Sequence, residues 1–277
     1  MKFVDLCCGI GAFTEVLEKK GHECVFSCDI DETARQTYEA NHKKRPAGDI
    51  YKVGIEHIPN FDLLCCGFPC MPFSTIGKRR GLYDLKNGDI FYRLMSIIHF
   101  KKPKYFILEN VIGLLSLDDG KHFDCMMRHL RSEGYYVDYG VLNCSDYGVP
   151  QNRKRVFIIG HLDYPIPVNI TPQPTVTLTD YLNKGVFEKS TSYTIRALGG
   201  RYAKLGSKHN WTEYKHESGV YKLTLDDVRR LQGLPNDFIL KGSIKQQWKQ
   251  LGNTIPFNLV ENVISLLSNG SPRFSVS

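Results

Sequence analysis

The sequence contains no long hydrophobic run. Over its 277 residues, no apolar segment approaches the roughly 20 residues that a membrane-spanning helix needs. The first residues also lack the extended apolar core of a secretory signal peptide. We therefore expect an intracellular protein, cytoplasmic or, if its source is eukaryotic, nuclear, that is neither secreted nor embedded in a membrane.

Metal-binding cysteine motifs are also missing. The nine cysteines include no Cys-x-x-Cys pair, and no histidines stand at zinc-finger spacing, so we expect no structural zinc and no other metal. The cysteine count is odd, and pairs such as Cys7-Cys8 and Cys65-Cys66 lie inside apolar segments. This pattern is typical of reduced thiols in an intracellular protein and argues against a disulfide framework.

A strong excess of either charge is absent. The formal net charge is +7, and hydrophobic and charged residues make up 42% and 23% of the chain. Those two contents are ordinary for a globular protein. The moderate positive charge permits a nucleic-acid partner without establishing one.

The first 160 residues alternate between strand and helix patterns. Short apolar runs predict strands at 2–6, 23–28, 61–66, 105–109, 136–142 and 156–160, and a further short strand is predicted to end at 48–50. Helical patterns follow, one ending near residue 20 and others covering about 31–41, 89–100 and 121–132. This alternation predicts an α/β fold with a mostly parallel sheet and helices on both faces, its last two strands forming a hairpin.

The pattern changes after residue 160. Residues 161–222 are rich in Pro, Thr, Tyr and Lys and show no sustained helical period, which predicts a small module of short strands and loops. An ordinary surface insertion is the alternative. Residues 223–277 are helical again: Thr224 starts one helix, and 253–267 carry the apolar face of another. We therefore divide the chain into 1–160, 161–222 and 223–277, with the last segment packing back on the first.

One cysteine stands on a stiff turn. Cys70 lies between Pro69 and Pro72, just after the predicted strand at 61–66. The prolines and Gly67 end the strand and fix the backbone beyond it. Ligands of open α/β sheets bind at the carboxyl ends of strands, so a thiol placed there is a candidate nucleophile. A buried structural cysteine is the alternative.

Two glycines and two carboxylates suggest a nucleoside ligand. Gly9 and Gly11 stand where the first strand meets its helix, where a ligand can approach the backbone. A dinucleotide-binding fingerprint would have a third glycine where this chain has Thr14, which weakens a dehydrogenase interpretation. Asp29 follows the second predicted strand and Asp49 the third, so their carboxylates could meet ribose and adenine. Either residue alone would more often be a helix cap.

Taken together, six motifs resemble those of the DNA (cytosine-5) methyltransferases of the small prokaryotic or viral type. The resemblance covers nearly the whole chain outside residues 161–222, in the order expected of the family. The motifs are Phe3-x-Asp5-Leu6-x-x-Gly9-x-Gly11, Gly67-Phe68-Pro69-Cys70, Glu109-Asn110-Val111, Gln151-Asn152-Arg153-Lys154-Arg155, Arg230-Leu231-Gln232-Gly233-Leu234-Pro235 and Gln250-Leu251-Gly252-Asn253-Thr254-Ile255.

The resemblance implies a fold and a reaction. The fold is a Rossmann-like S-adenosylmethionine-dependent methyltransferase sheet with a small, mostly β/loop target-recognition domain in residues 161–222. The reaction transfers a methyl group from S-adenosylmethionine to carbon 5 of a cytosine that is flipped out of a short specific DNA sequence, leaving S-adenosylhomocysteine. The implied partner is double-stranded DNA, with a monomeric enzyme and a possible cognate restriction endonuclease.

The resemblance also implies residue roles. Cys70 adds to carbon 6 of the base. Glu109 contacts a ring nitrogen of the cytosine and Arg155 contacts its carbonyl oxygen, while Arg153 supports the site. The two arginines stand two residues apart on a predicted strand and therefore share a face. The cofactor residues implied are Phe3, Asp5, Gly9, Gly11, Asp29, Ile30, Asp49, Ile50, Gly67, Pro69 and Asn253. The DNA-binding residues implied are Ser74, Lys78, Arg79, Arg80, Arg196 and Arg201.

The chain departs from the family pattern at a few positions. Met71 replaces the glutamine that usually follows the catalytic cysteine, and Asp29 replaces a glutamate. Two alternatives stay open. One is a transfer-RNA cytosine-5 methyltransferase, although that branch usually carries Pro-Pro-Cys where this chain has Phe68-Pro69-Cys70. The other is a non-catalytic DNA-binding relative.

Overall fold

The computed structural model describes residues 1–69, 90–197 and 210–269. Its main element is a six-stranded sheet of order β2-β1-β3-β4-β6-β5, in which β2, β1, β3 and β4 are parallel and β6 runs antiparallel to both of its neighbours. The strands are β1 Lys2–Leu6, β2 Glu23–Cys28, β3 Leu63–Gly67, β4 Tyr105–Val111, β5 Tyr136–Asn143, β6 Lys154–His161, β7 Glu213–His216 and β8 Gly219–Lys222. The helices are α1 Ala12–Lys19, α2 Glu32–His42, α3 Ile90–Lys101, α4 Lys121–Ser132, α5 Leu178–Leu182, α6 Leu225–Leu231, α7 Ile244–Asn253 and α8 Phe257–Asn269.

Both faces of the sheet are buried, as the nearly continuous apolar strands require. Phe3 and Leu63 belong to one hydrophobic cluster, which α1 and α8 cover. Their chain neighbours Val4 and Leu64 belong to the opposite cluster, which α3 and α4 cover. Successive strand residues therefore pack into different cores. The predicted α/β architecture with helices on both faces is confirmed.

The carboxyl ends of the parallel strands meet at one edge of the sheet. The turn after β1 carries Cys7, which has a φ of 52°, and the glycines Gly9 and Gly11, with φ of 54° and 95°. The chain after β3 continues to Pro69, and β4 ends at Val111. Loops from neighbouring strands are thus brought together at this edge, where open α/β sheets bind ligands.

Residues beyond the main sheet form small elements tied to the C-terminal helices. Strands β7 and β8 pair as an antiparallel hairpin. The buried Asp227 of α6 accepts hydrogen bonds from Lys184 Nζ at 2.7 Å and Tyr221 Oη at 2.9 Å. Helix α8 contacts α1 on the main domain. The division of the chain at residues 160 and 222 stays a prediction.

Two sequence-based predictions are wrong. Residues 48–50 form no strand: Ala47 makes a single bridge to Cys28, and Asp49 caps a short 3₁₀ helix by accepting from the Tyr51 N–H at 3.0 Å. The predicted helix start at Asn253 is instead the end of α7, and α8 follows Pro256. Proline lacks the N–H that a continuous helix would use, so the two helices separate there.

Within the described ranges, no helix combines the length and the apolar character needed to cross a membrane.

Candidate functional site

A cleft of 1040 Å³ opens at the carboxyl edge of the sheet. Its walls are the turns after β1 to β4, the segment 194–197 and the end of α7. Thirteen of the sequence-predicted residues line it. They are Asp5, Gly9, Asp29, Ile30, Asp49, Ile50, Gly67, Pro69, Glu109, Arg153, Arg155, Arg196 and Asn253.

Other predicted residues lie elsewhere. Phe3 is fully buried in the core beside α1 and does not line the cleft. Gly11 does not line it either; a Cβ there would lie 2.4 Å from His42 Nε2, so glycine is required by packing. The remaining predicted residues lie outside the described ranges. They are Cys70, Ser74, Lys78, Arg79, Arg80 and Arg201.

Glu109 and Arg155 form an ion pair inside the cleft. Arg155 Nε lies 2.8 Å from Glu109 Oε1, and both side chains are largely buried. Glu109 pairs in register with Gly67 on β3, and a Cβ on Gly67 would lie 3.4 Å from Glu109 Oε2. The carboxyl group therefore lies beside the backbone that leads to Pro69 and Cys70. Glu109 and Arg155, which come from two different sequence motifs, thus lie in contact in the same cleft.

The ionisation of Glu109 is set by opposing effects. Burial raises the pKa of its carboxyl group, and the charges of Arg155 and Arg153 lower it, with burial the larger effect. Desolvation disfavours the charged carboxylate in this way. A carboxyl group with a raised pKa can hold a proton at higher pH than an exposed glutamate and can donate it to a bound base.

Arg153 ties three segments of the cleft wall together. Its guanidinium is buried and donates hydrogen bonds to the carbonyl oxygens of Ile195 at 2.6 Å, Gly252 at 3.1 Å and Thr254 at 2.8 Å. Burial lowers its pKa to about 9. The prediction that both arginines lie on one strand is wrong for Arg153, because β6 begins at Lys154. The Arg153 side chain nevertheless lines the same cleft as that of Arg155. Its contacts are with the protein backbone.

Gly252 allows two distant segments to touch. A Cβ at this position would lie 2.1 Å from the Ala197 backbone nitrogen and 2.2 Å from the Arg196 carbonyl carbon. No side chain fits there, so glycine is required. This contact places the segment 194–197 in the cleft wall. Sequence reasoning named only Arg196 from that segment, and no local pattern marks its neighbours.

The other end of the cleft carries carboxylates on backbone donors. Asp29 accepts hydrogen bonds from the Gly9 N–H at 2.7 Å and the Asp31 N–H at 2.8 Å, and burial raises its pKa. Next to it, the side chain of Ile30 is 80% exposed. Lys249 on α7 reaches Asp31 at 2.6 Å and also lines the cleft, a residue that the sequence motifs did not indicate.

These residues fit an adenosine-containing cation. Asp29 and Asp49 offer acceptor oxygens for ribose and adenine, and Ile30 offers an apolar surface on which a flat ring can pack. The Oδ1 atom of Asp5 is buried and has no hydrogen-bond partner among the described residues. Such an atom favours a cationic or donor group in the adjacent space.

Comparisons with known proteins agree with the motifs. The family model described as C-5 cytosine-specific DNA methylase matches residues 1–194 and 169–269. The chain is 33% identical to the Type II methyltransferase M.MspI of Moraxella sp over 96% of its own length and 70% of that protein. It is 34% identical to the Type II methyltransferase M.NgoBI of Neisseria gonorrhoeae over 94% of its own length and 90% of that protein.

Solved structures share the fold. The S. pombe Dnmt2 methyltransferase matches with a TM-score of 0.74 at 21% identity, covering 97% of this chain and 98% of that one. A putative DNA modification methyltransferase encoded within a prophage of E. coli matches with a TM-score of 0.73 at 18% identity, and the match covers 97% of this chain and 99% of that one. At these identities the likeness concerns the fold, and the predicted methyltransferase-type sheet is confirmed.

Proposed function

The chain belongs to the C-5 cytosine-specific DNA methylase family and is a DNA (cytosine-5-)-methyltransferase, and we propose that it acts on a cytosine flipped out of duplex DNA through a covalent bond to Cys70. The family and the enzyme class predicted from the motifs are thereby confirmed. The methyl donor of this family is S-adenosylmethionine. The flipped base and the cysteine adduct are proposals.

The proposed chemistry starts from the weakness of carbon 5 as a nucleophile. Addition of the Cys70 thiolate to carbon 6 pushes electron density onto carbon 5, which then takes the methyl group. Loss of the carbon-5 proton and expulsion of the thiolate complete the reaction. S-adenosylmethionine supplies an electrophilic methyl group, and the proposed steps require no metal ion.

The observation that supports this proposal best is the Glu109–Arg155 pair beside Gly67. A protonated Glu109 can donate to the ring nitrogen of the cytosine and so stabilise the negative charge that forms as sulfur adds. Arg155 holds Glu109 through Nε and can donate from its terminal nitrogens to the base carbonyl oxygen. The Arg153 guanidinium donates its hydrogen bonds to backbone carbonyl oxygens of the cleft wall. We therefore propose that Arg153 positions the segments that form the site.

The donor is proposed to lie along the carboxylate end of the cleft. Asp29 and Asp49 would bind ribose and adenine, Ile30 and Ile50 would pack on the ring, and the turn at Gly9 would lie along the methionyl end. Pro69 and the exposed Asn253 also line the cleft, and we propose that they would lie near the junction of donor and base.

The DNA side of the proposal involves residues 161–222 and the segment after Cys70. Arg196 is exposed and lines the cleft, which suits contact with the phosphate next to the flipped base. Ser74, Lys78, Arg79, Arg80 and Arg201 are proposed DNA contacts that lie outside the described ranges. We propose a monomeric cytoplasmic enzyme of a restriction–modification system, because its substrate is cellular DNA and its relatives are Type II methyltransferases.

The test uses labelled S-adenosylmethionine with duplex DNA and, in parallel, with transfer RNA. Label on cytosine carbon 5 of DNA is expected, with none for Cys70→Ser. DNA containing 5-fluorocytosine should trap a covalent complex, because fluorine blocks loss of the final proton. Label on an exocyclic amine, or on RNA alone, would overturn the proposal; tight DNA binding without a trapped complex would indicate a non-catalytic relative.

A further inference from the structure

Thr14 has a place in the structure that the proposed reaction does not use. It replaces the third glycine of a dinucleotide fingerprint and is fully buried on α1. Its Oγ1 donates to Asp5 Oδ2 at 2.8 Å and lies 2.9 Å from Tyr38 Oη on α2. Tyr38 Oη lies 3.4 Å from Cys24 Sγ on β2. A buried chain of polar groups therefore runs from α2 and β2 to the carboxyl group at the cleft.

The charge state of Asp5 determines which group donates in each hydrogen bond of this buried series. Thr14 has one hydroxyl hydrogen, which goes to Asp5 when that carboxyl group is ionised. Tyr38 must then donate its own hydrogen to Thr14. When Asp5 is protonated, the order can reverse, with Asp5 donating to Thr14 and Thr14 to Tyr38. Both charge states of Asp5 are thus accommodated without moving a heavy atom.

The other oxygen of Asp5 is the one left for the ligand. Oδ1 is buried and unpaired within the described part of the chain, whereas the residue itself lines the cleft. A buried acceptor without a donor lowers stability. The methyl donor carries a positive sulfonium and a positive ammonium group, and either would interact favourably with an ionised Asp5.

We propose that Thr14 and Tyr38 are positioning residues that hold the Asp5 carboxyl group and set the pH range over which the cleft binds its cationic methyl donor. This inference rests on the proposed cofactor site and assigns a specific task to two residues behind it. The two hydroxyls fix the orientation of Oδ2, and Oδ1 faces the cationic end of the donor.

The surroundings of Asp5 disfavour its charge. Within residues 1–69, 90–197 and 210–269, the titratable groups that face it are carboxylates, thiols and a phenol. They are Glu18 on α1, Asp29 after β2, Cys24 and Cys28 on β2, Tyr38 on α2, Cys65 and Cys66 on β3, and Cys8 in the turn after β1. Burial, together with the smaller effects of the charges of Asp29 and Glu18, raises the pKa of Asp5 to about 7, against hydrogen bonds from the Thr14 side chain and backbone that lower it.

Donor binding below about pH 7 must therefore release a proton from Asp5. Loss of the Thr14 hydroxyl removes a hydrogen bond to the ionised form, so the ionisation moves to higher pH. A hydrogen bond to a charged group corresponds to a shift of about one to two pH units.

Calorimetric titration of S-adenosylmethionine into the full chain, from about pH 5.5 to 8.5, tests this. The wild-type affinity should rise with pH and level off above about pH 7. The affinity of the Thr14→Val variant should level off about one to two pH units higher than that of the wild type. Thr14→Ser keeps the hydroxyl and should follow the wild type, and Tyr38→Phe should shift in the same direction by less. The ligand's own ionisation is common to all four titrations and cancels in the comparison.

The outcomes separate the two levels of the proposal. If wild-type protein binds the donor at no pH, the proposed cofactor site is wrong. If Thr14→Val binds with an unshifted profile, or weakens binding equally at every pH, the hydroxyl chain plays no positioning role and this inference alone is overturned. If Thr14→Val does not fold, the comparison of Tyr38→Phe with wild type decides, and an unshifted Tyr38→Phe profile overturns it.

Discussion

Arg155 and Glu109 stand on adjacent antiparallel strands, and Nε of the first lies 2.8 Å from Oε1 of the second. The pair is largely buried, so removal of either partner leaves an uncompensated polar group at the centre of the cleft. We therefore treat the two residues as one unit in the proposed reaction.

Glu109→Gln should lower kcat by about two to three orders of magnitude, because an amide cannot transfer a proton to the base. The affinity for S-adenosylmethionine should stay within about a factor of three, since Glu109 lies outside the carboxylate end of the cleft. Single-turnover methylation assays and calorimetric titration measure the two effects. Lys154→Gln is the matched control, because it changes an exposed neighbour of Arg155; a comparable loss there would contradict the assignment.

Asp5→Asn should change how stability depends on pH. The folded pKa of Asp5, about 7, lies above its usual value of 3.8, so the native state holds a proton that the unfolded state releases between these values. Its contribution to stability is therefore complete below about pH 4, falls as pH rises to about 7, and amounts to about 4 kcal/mol over that window. Urea unfolding of the ligand-free protein at several pH values should show this decline in wild type and its loss in Asp5→Asn. Parallel curves for both would contradict the prediction.

Gly252→Ala should destabilise the protein by about 1–3 kcal/mol and lower activity further than stability alone explains. The added Cβ would lie 2.1 Å from the backbone nitrogen of Ala197, and backbone on both sides must separate to admit it. Gly113→Ala is the matched control, because its nearest neighbour would be Val111 Cγ2 at 4.0 Å. Thermal unfolding and methylation rates measure the two variants, and equal behaviour would show that the approach of the two segments is not required.

Asp227→Ala should cost about 1–3 kcal/mol of stability, because it leaves Tyr221 and the partly exposed Lys184 without their common acceptor. Burial alone would raise the pKa of Asp227, but hydrogen bonds from Lys184, Thr224 and Tyr221 outweigh it and hold the pKa below 3.8. The stabilisation is thus present at neutral pH and is lost only as pH falls below the usual aspartate range. Asp226→Ala, an exposed neighbour, is the control for urea unfolding at neutral pH and should have little effect.

Much of the fold follows from local patterns. Helix α4 has the bounds predicted for it, and Asp31 caps α2 as predicted, accepting from the Thr33 and Ala34 N–H groups. Helix α7 was not predicted because its sequence is mostly polar. Its docking depends on partners more than 200 residues away, such as Thr37 Oγ1 donating to Gln250 Oε1 at 2.7 Å.

The candidate site also contains both residues that the sequence motifs named and contacts that they could not predict. The motifs named Glu109, Arg153 and Arg155, and the structure brings these three residues into one cleft. The contact of Gly252 with the segment 194–197 could not be predicted, because it depends on how two remote pieces of chain pack. Ile30 was named through the family resemblance, but the exposure of its side chain was not predicted.

The bonds of Arg153 impose an order on folding. Its partners Ile195, Gly252 and Thr254 follow it by 42, 99 and 101 residues, so none exists when β6 first leaves the ribosome. The central sheet can form during synthesis, but the guanidinium finds its acceptors only after α7 has been made. An interrupted nascent chain would therefore carry a sheet without a finished cleft, and methylating capacity would arise in one late step as the last helices dock.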